Sequence, residues 1–259
     1  MALMEIVFPS EVLTCQNEIR IFLPDHDDGC GRYRKYKTIW MLHGGNGDCH
    51  EWYCHSSLFR EAEKNDYAIV LLSVYNSFGM DMNHGGKYAT FLEQEVMPAV
   101  WRMLPCLSRR KEDNVAAGVS MGGFAAVRWA MNRPDRFFCC AAFAGALAMP
   151  IIYQRYLEGR QPGGPDFDYS FGDVKRITGN ENDILHMAKK NMENGTMIPL
   201  YMICGEDDFG FDLNDYMQRE LIKLGVDVSF YPVPGEHNFD CWEPHLSEFF
   251  GWLKRKERC

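Results

Sequence analysis

A continuous apolar run, Val115-Ala116-Ala117-Gly118-Val119, passes through one serine into the glycine- and alanine-rich stretch Met121-Gly122-Gly123-Phe124-Ala125-Ala126. Few features constrain a fold more. An unbroken apolar run bounded by turn residues reads as a strand buried on both faces. A helix that starts one residue later must pass close to that strand, and only residues without bulk allow it. The glycines at 118 and 122 meet that need and complete the pattern Gly-x-Ser-x-Gly. On a strand-turn-helix of this kind the serine is held on strained backbone with its hydroxyl exposed, as acyl transfer requires. The helix N-terminus beneath it favours developing negative charge.

The rest of the chain alternates in the same way. Further strands are expected at 18–23, 38–42, 67–74, 139–144, 199–204 and 228–233, and helices at 88–104, 121–132, 214–224 and 245–256. In the first of these helices Phe91, Leu92, Val96, Val100 and Leu104 fall on one face, and Pro98 is expected to kink it. Strands alternating with helices imply an α/β fold with a mostly parallel sheet covered on both faces. No repeat and no linker divides the 259 residues, so one domain, 1–259, is expected. The segment 147–196 is too long for an ordinary crossover and turn-rich in its middle, and it reads as a cap-like insertion over the strand ends.

Charge narrows the partners. With 27 Lys+Arg against 36 Asp+Glu the net charge is −9, which disfavours nucleic acid, whose phosphates need a positive field. No apolar run approaches the roughly 18 residues of a membrane span, so no membrane partner is expected. The first residues lack the basic start and apolar centre of a secretion signal. Ten cysteines at 15, 30, 49, 54, 106, 139, 140, 204, 241 and 259 form no CxxC pair, and several sit in apolar runs. They read as reduced thiols in a cytoplasmic protein. The oligomeric state stays open, a homo-oligomer included.

A nucleophilic serine needs a base, and the base needs an orienting acid. In hydrolases of this topology they follow the serine as acid, then histidine. Of the histidines after Ser120, His186 lies in a helical run of the insertion and His245 opens the last helix. His237 lies in PGEHNFD, between the last strand and the last helix, where a base reaches over the strand ends. The acid belongs on the loop after PLYMIC, in Gly205-Glu206-Asp207-Asp208, where the local pattern leaves Asp207 and Asp208 equivalent. Oxyanion donors are expected from the Met121 N–H and from the glycine loop His43-Gly44-Gly45-Asn46-Gly47. That loop lacks a following Lys-Ser/Thr and is not a phosphate cradle. His50 and His55 stand five apart rather than four, and with Cys49 and Cys54 match no common zinc spacing. No metal and no cofactor are expected.

These segments resemble the esterase D / tributyrin esterase family, related to S-formylglutathione hydrolases and feruloyl esterases. The similarity runs through LHGGNGD, NSFGMDMNHGGKYATFLEQEVMPAV, AGVSMGGFAAVRWA, CGEDDF and GEHNFDCWEPHLSEFFGWL. The resemblance implies the α/β-hydrolase fold and a serine esterase acting on short-chain acyl esters, acetyl to butyryl, with acetylated or feruloylated sugars as natural candidates. It implies Asp208 as acid, His237 as base and Gly45 as the first oxyanion donor. A thioesterase of the S-formylglutathione type, or an acyltransferase, would use the same residues. His43-Gly44-Gly45 stands where the formylglutathione enzymes carry Ser-Gly-Leu, which counts against that substrate. The acyl pocket is expected to be walled by Ile151 and Ile152 of the insertion, with Met149 and Tyr153, and by Phe78, Met80 and Trp242 opposite.

Overall fold

The computed structural model describes residues 2–25, 35–161 and 165–258. Among the described residues eight strands form one sheet: β1 (Ala2–Ser10), β2 (Cys15–Leu23), β3 (Lys37–Leu42), β4 (Tyr67–Leu72), β5 (Asn114–Val119), β6 (Cys139–Phe143), β7 (Leu200–Gly205) and β8 (Val228–Val233). Their spatial order is β1-β2-β4-β3-β5-β6-β7-β8. The pairs β1–β2 and β2–β4 are antiparallel, and every pair from β4 to β8 is parallel.

The helices are α1 (Glu51–His55), α2 (Leu58–Lys64), α3 (Tyr88–Thr90), α4 (Met97–Met103), α5 (Met121–Asn132), α6 (Met149–Leu157), α7 (Pro165–Ser170), α8 (Ile184–Asn194), α9 (Phe211–Lys223), α10 (Phe239–Trp242) and α11 (Leu246–Lys256). They divide between the two sheet faces. Trp40 and Leu42 of β3, with Ala68, Val70 and Leu72 of β4, pack under α4, α5, α8 and α9. The alternate residues Ile39, Met41, Tyr67, Ile69 and Leu71 pack under α1, α2 and α11. Both registers of each central strand are apolar because both faces are covered.

The strand expected at 18–23 begins three residues earlier, and β1 was not expected. β1 is an edge strand whose inward Met4, Ile6 and Phe8 alternate with more exposed residues. Pro9 is tolerated there because an edge leaves one row of backbone groups unpaired. The helix expected at 88–104 is divided ahead of Pro98 into α3, a π-helical turn at Phe91–Val96, and α4. Proline has no N–H and its ring crowds the carbonyl four residues back, and a widened turn just before it accommodates both effects.

Within 147–196, α8 packs on α5 and shares the core of that sheet face through Ile184, Met187 and Ala188. It is the crossover helix between β6 and β7. The α6–α7 portion lies instead against the loop after β4. Ser170 Oγ donates to the Asn76 carbonyl at 3.0 Å, and the Asn83 and His84 N–H groups donate to the Ser170 and Tyr169 carbonyls at 3.0 and 2.8 Å. The Phe78 ring meets Phe171 at 4.7 Å, and Tyr153 meets Phe171 at 5.1 Å.

Candidate active site

The strands next to β3 on its two sides, β4 and β5, both follow it in sequence, so the direction of winding reverses at β3 and β5. In an open parallel sheet the carboxyl ends of such strands form a crevice. The loops after β3, β5, β7 and β8 deliver there His43–Gly47, Ser120, Asp208 and His237.

Ser120 adopts φ 54° and ψ −117°, a conformation L-residues rarely hold. Its N–H donates to the Phe143 carbonyl at 2.8 Å, and its carbonyl accepts from the Ala146 and Phe124 N–H groups at 3.1 and 3.2 Å. A Cβ on Gly118 would collide with the carbonyl of Gly122, and one on Gly122 with the carbonyl of His43. Both glycines of the motif are therefore required by close backbone approach.

His237 Nε2 lies 2.9 Å from Ser120 Oγ, and its Nδ1 lies 2.6 Å from Asp208 Oδ2. The Asp208 side chain is 0% exposed, and its other oxygen accepts the Gly210 N–H at 2.7 Å. Asp207 is exposed and contributes its N–H to the Gly235 carbonyl. The structure thus brings Ser120, His237 and Asp208 into one hydrogen-bonded chain and turns Asp207 to solvent. A serine hydroxyl bonded to an imidazole, itself held by a buried carboxylate, can surrender its proton as it attacks a carbonyl. Rings flank the histidine: Phe209 at 4.5 Å and Trp242 edge-on at 5.1 Å.

The glycine loop after β3 is tied down by its neighbours. His43 Nε2 accepts the Val74 and Tyr75 N–H groups at 3.0 and 3.1 Å, so the ring proton sits on Nδ1, which donates to the Gly44 carbonyl at 2.7 Å. Burial holds the His43 pKa below its ordinary 6.5. Its folded pKa is depressed, so the stability it contributes is present above 6.5 and is lost as pH falls through the lower folded value. The expected result of ring nitrogen NMR is a single Nδ1–H tautomer at neutral pH that takes no second proton until below 6.5. A His43 ring titrating at or above that value contradicts this role. The Gly44, Asn46 and Gly47 N–H groups donate to Glu51 Oε2, Asn76 Oδ1 and the Gly44 carbonyl. Among the described residues the Gly45 N–H has no such partner, and Gly45 is exposed beside Ser120. The Met121 N–H belongs to the first turn of α5, which lacks an i−4 partner within its own helix.

Two cavities meet at Ser120 and His237. The larger, about 1080 Å³, is walled in part by Phe78, Met121, Ile152, Phe167 and Phe209. The smaller, about 470 Å³, is walled by Gly45, Glu51, His55 and Trp242 among others. The expected acyl wall is therefore only partly assembled. Phe78 and Ile152 line the larger cavity. Met80 is fully buried in the core and does not line it. Ile151 does not line it either, because successive residues of a helix point about 100° apart and Ile152 takes the inward position. Trp242 lies on the smaller recess. Sequence reasoning missed Tyr75, Phe167 and Phe209. The last had a signal, an aromatic residue directly after the acidic loop that stays 76% exposed.

Among the described residues, Glu18, Cys49 and His50 bring ligand-type atoms within 4.8 Å of one another. Arg20 already approaches Glu18 at 3.5 Å, Asp48 holds His50 Nδ1 at 2.8 Å, and burial pushes the Cys49 thiol up to about 11. Glu18 is thus paired with Arg20, His50 is hydrogen-bonded to Asp48 and the thiol is protonated, and none of the three lines either cavity. The eight described cysteines are free, and Cys30 and Cys259 lie outside the described residues. No helix among the described residues is long and apolar enough to cross a membrane.

The chain is 28% identical over 266 residues to an acetyl esterase of Caldicellulosiruptor saccharolyticus, covering 98% of this chain and 99% of that one. Its fold is similar to that of a fluorophosphonate-binding serine hydrolase F of Staphylococcus aureus solved with substrate bound, with TM-score 0.87, 22% identity and coverage of 97% and 98%. It is also similar to an S-formylglutathione hydrolase of Staphylococcus aureus, with TM-score 0.81, 21% identity and the same coverage. Residues 10–253 match the family described as "Putative esterase". The chain therefore belongs to this esterase family and is a carboxylic ester hydrolase with the α/β-hydrolase fold.

Proposed function

We propose that the chain hydrolyses short-chain carboxylic esters, acetyl to butyryl, through an acyl-enzyme on Ser120. The observation that carries this reading is the Ser120–His237–Asp208 chain, with links of 2.9 and 2.6 Å. His237 takes the Ser120 proton as the oxygen attacks the ester carbonyl, then delivers it to the departing alcohol. Asp208 keeps the ring proton on Nδ1 and stabilises the imidazolium. The Gly45 and Met121 N–H groups receive the oxyanion. Water, deprotonated by His237, releases the acid.

The partner is a small-molecule ester. A volume of about 1080 Å³ suits a drug-sized ligand and far exceeds an acetyl group. The remaining space is assigned to the alcohol half, and aromatic walls from Tyr75, Phe78 and Phe167 suit a sugar or feruloyl ring. The similarity to an acetyl esterase favours acetyl as the acyl group. The α6–α7 portion of 147–196 acts as the cap over this space. The free cysteines favour a reducing compartment, the cytoplasm.

A panel of p-nitrophenyl esters of rising chain length, with acetylated xylose and methyl ferulate, tests the reading. The expected profile is highest kcat/KM from acetyl to butyryl and a steep fall beyond hexanoyl. A methylene contributes only about 0.8 kcal/mol by attraction, so a steep fall means steric exclusion. Ile152→Ala is expected to extend the profile and Ile151→Ala to leave it unchanged. Equal turnover of acetyl and decanoyl esters by the wild type counts against a closed wall.

A further inference from the structure

Three glycines in five residues make 43–47 a flexible stretch, yet an oxyanion donor acts only if it is aimed before the charge develops. The two amides that flank Gly45 are each captured by a side chain from a different element. Glu51, at the start of α1, accepts the Gly44 N–H at 2.6 Å. Asn76, on the loop after β4, accepts the Asn46 N–H at 2.7 Å and returns a hydrogen bond from its Nδ2 to Asn46 Oδ1 at 2.8 Å. Asn46 itself sits at φ 62°, a left-handed conformation that this reciprocal pair holds in place.

We propose that Glu51 and Asn76 are positioning residues that aim the Gly45 N–H at the oxyanion by fixing the peptide planes on either side of it. The inference rests on the triad and oxyanion reading above. The unit carrying the Gly45 N–H is held through its own Gly44 carbonyl by His43 Nδ1 and the Gly47 N–H, and because a peptide unit is planar, anchoring both neighbouring units removes the freedom that those two bonds leave. Neither side chain needs to touch the reacting atoms. Glu51 acts here as an acceptor, a part that the amide oxygen of a glutamine can also play. Asn76 extends the device, because its carbonyl receives the Ser170 hydroxyl of α7 and so ties the α6–α7 region to the same loop.

The test compares Glu51→Ala, Glu51→Gln and Asn76→Ala on matched oxoester and thionoester substrates. Sulfur is larger and a poorer acceptor, so a well-aimed oxyanion site discriminates against the thionoester and a loosened one does so less. Loss of one oxyanion donor costs about 10²- to 10³-fold in kcat, so mis-aiming one is expected to cost on the order of 10- to 100-fold. The expected result is that loss in kcat for both alanine variants, with KM within about 2-fold of wild type and a smaller oxoester/thionoester ratio. Glu51→Gln is expected to restore kcat and the ratio. A rise in KM at unchanged kcat, equal losses on both substrates, or failure of Glu51→Gln to recover while folded each overturns the proposal. Labelling of Ser120 by a fluorophosphonate probe separates the two levels. A wild type left unlabelled at Ser120 counts against the triad reading, whereas labelled variants with unaltered ratios count against the positioning role alone.

Discussion

Ser120→Ala is expected to lower kcat for p-nitrophenyl acetate by at least about 10³-fold while the protein stays folded. The residue sits at φ 54° and ψ −117° and makes its structural contacts through backbone atoms alone, to Phe143, Phe124 and Ala146. Its hydroxyl meets His237. Removing it deletes the nucleophile and no packing. The same geometry separates activity from stability. A non-glycine residue in so sparsely populated a region carries about 1–3 kcal/mol of strain. Ser120→Gly is therefore expected to be as inactive as Ser120→Ala and to melt at a higher temperature than it. Steady-state kinetics and calorimetry on the pair check both statements, and near wild-type turnover by either variant, with contamination excluded, sinks the assignment of Ser120.

The second large effect divides two adjacent aspartates. Asp208→Asn is expected to cost about 10³- to 10⁴-fold in kcat, because an amide in place of the carboxylate favours the ring tautomer that cannot accept the serine proton. Burial sharpens the effect, since the Asp208 side chain is sealed from water that might substitute for it. Asp207→Asn is expected to leave kcat within about 2-fold, as surface substitutions outside such networks are near neutral. Its side chain faces solvent, and the N–H it gives to Gly235 survives the substitution. The reverse order of damage would place the acid on the wrong residue.

Local pattern and three-dimensional context divide the legible from the hidden here. The parallel strands were readable because both of their faces are covered, which leaves runs such as Tyr67–Leu72 without a polar interruption. β1 escaped because an edge strand needs only one apolar face, and the outward Glu5 and Pro9 interrupt the continuous apolar run that marks the central strands. Ser120 and His237 stood out through their positions relative to strands and helices. Asp207 and Asp208 have nearly identical surroundings in sequence, and only the fold of the loop turns one inward. The pocket wall was the least legible. Ile151 and Ile152 are chemically equivalent, and the phase of a short helix relative to a cavity is set by what α6 packs against. Met80 lies two residues beyond a lining residue, Phe78, yet points into the core. Glu51 and Asn76 gave no signal at all, since each acts through a backbone amide that any residue could supply.

The most direct test of the account is to mix the enzyme with p-nitrophenyl acetate, quench with acid during turnover, and map the modified peptide by mass spectrometry. The expected result is one acetyl group on Ser120, formed with a burst of nitrophenol and absent from Ser120→Ala. Turnover with Ser120 unmodified throughout, or an acetyl group on another residue formed at the rate of turnover, contradicts it.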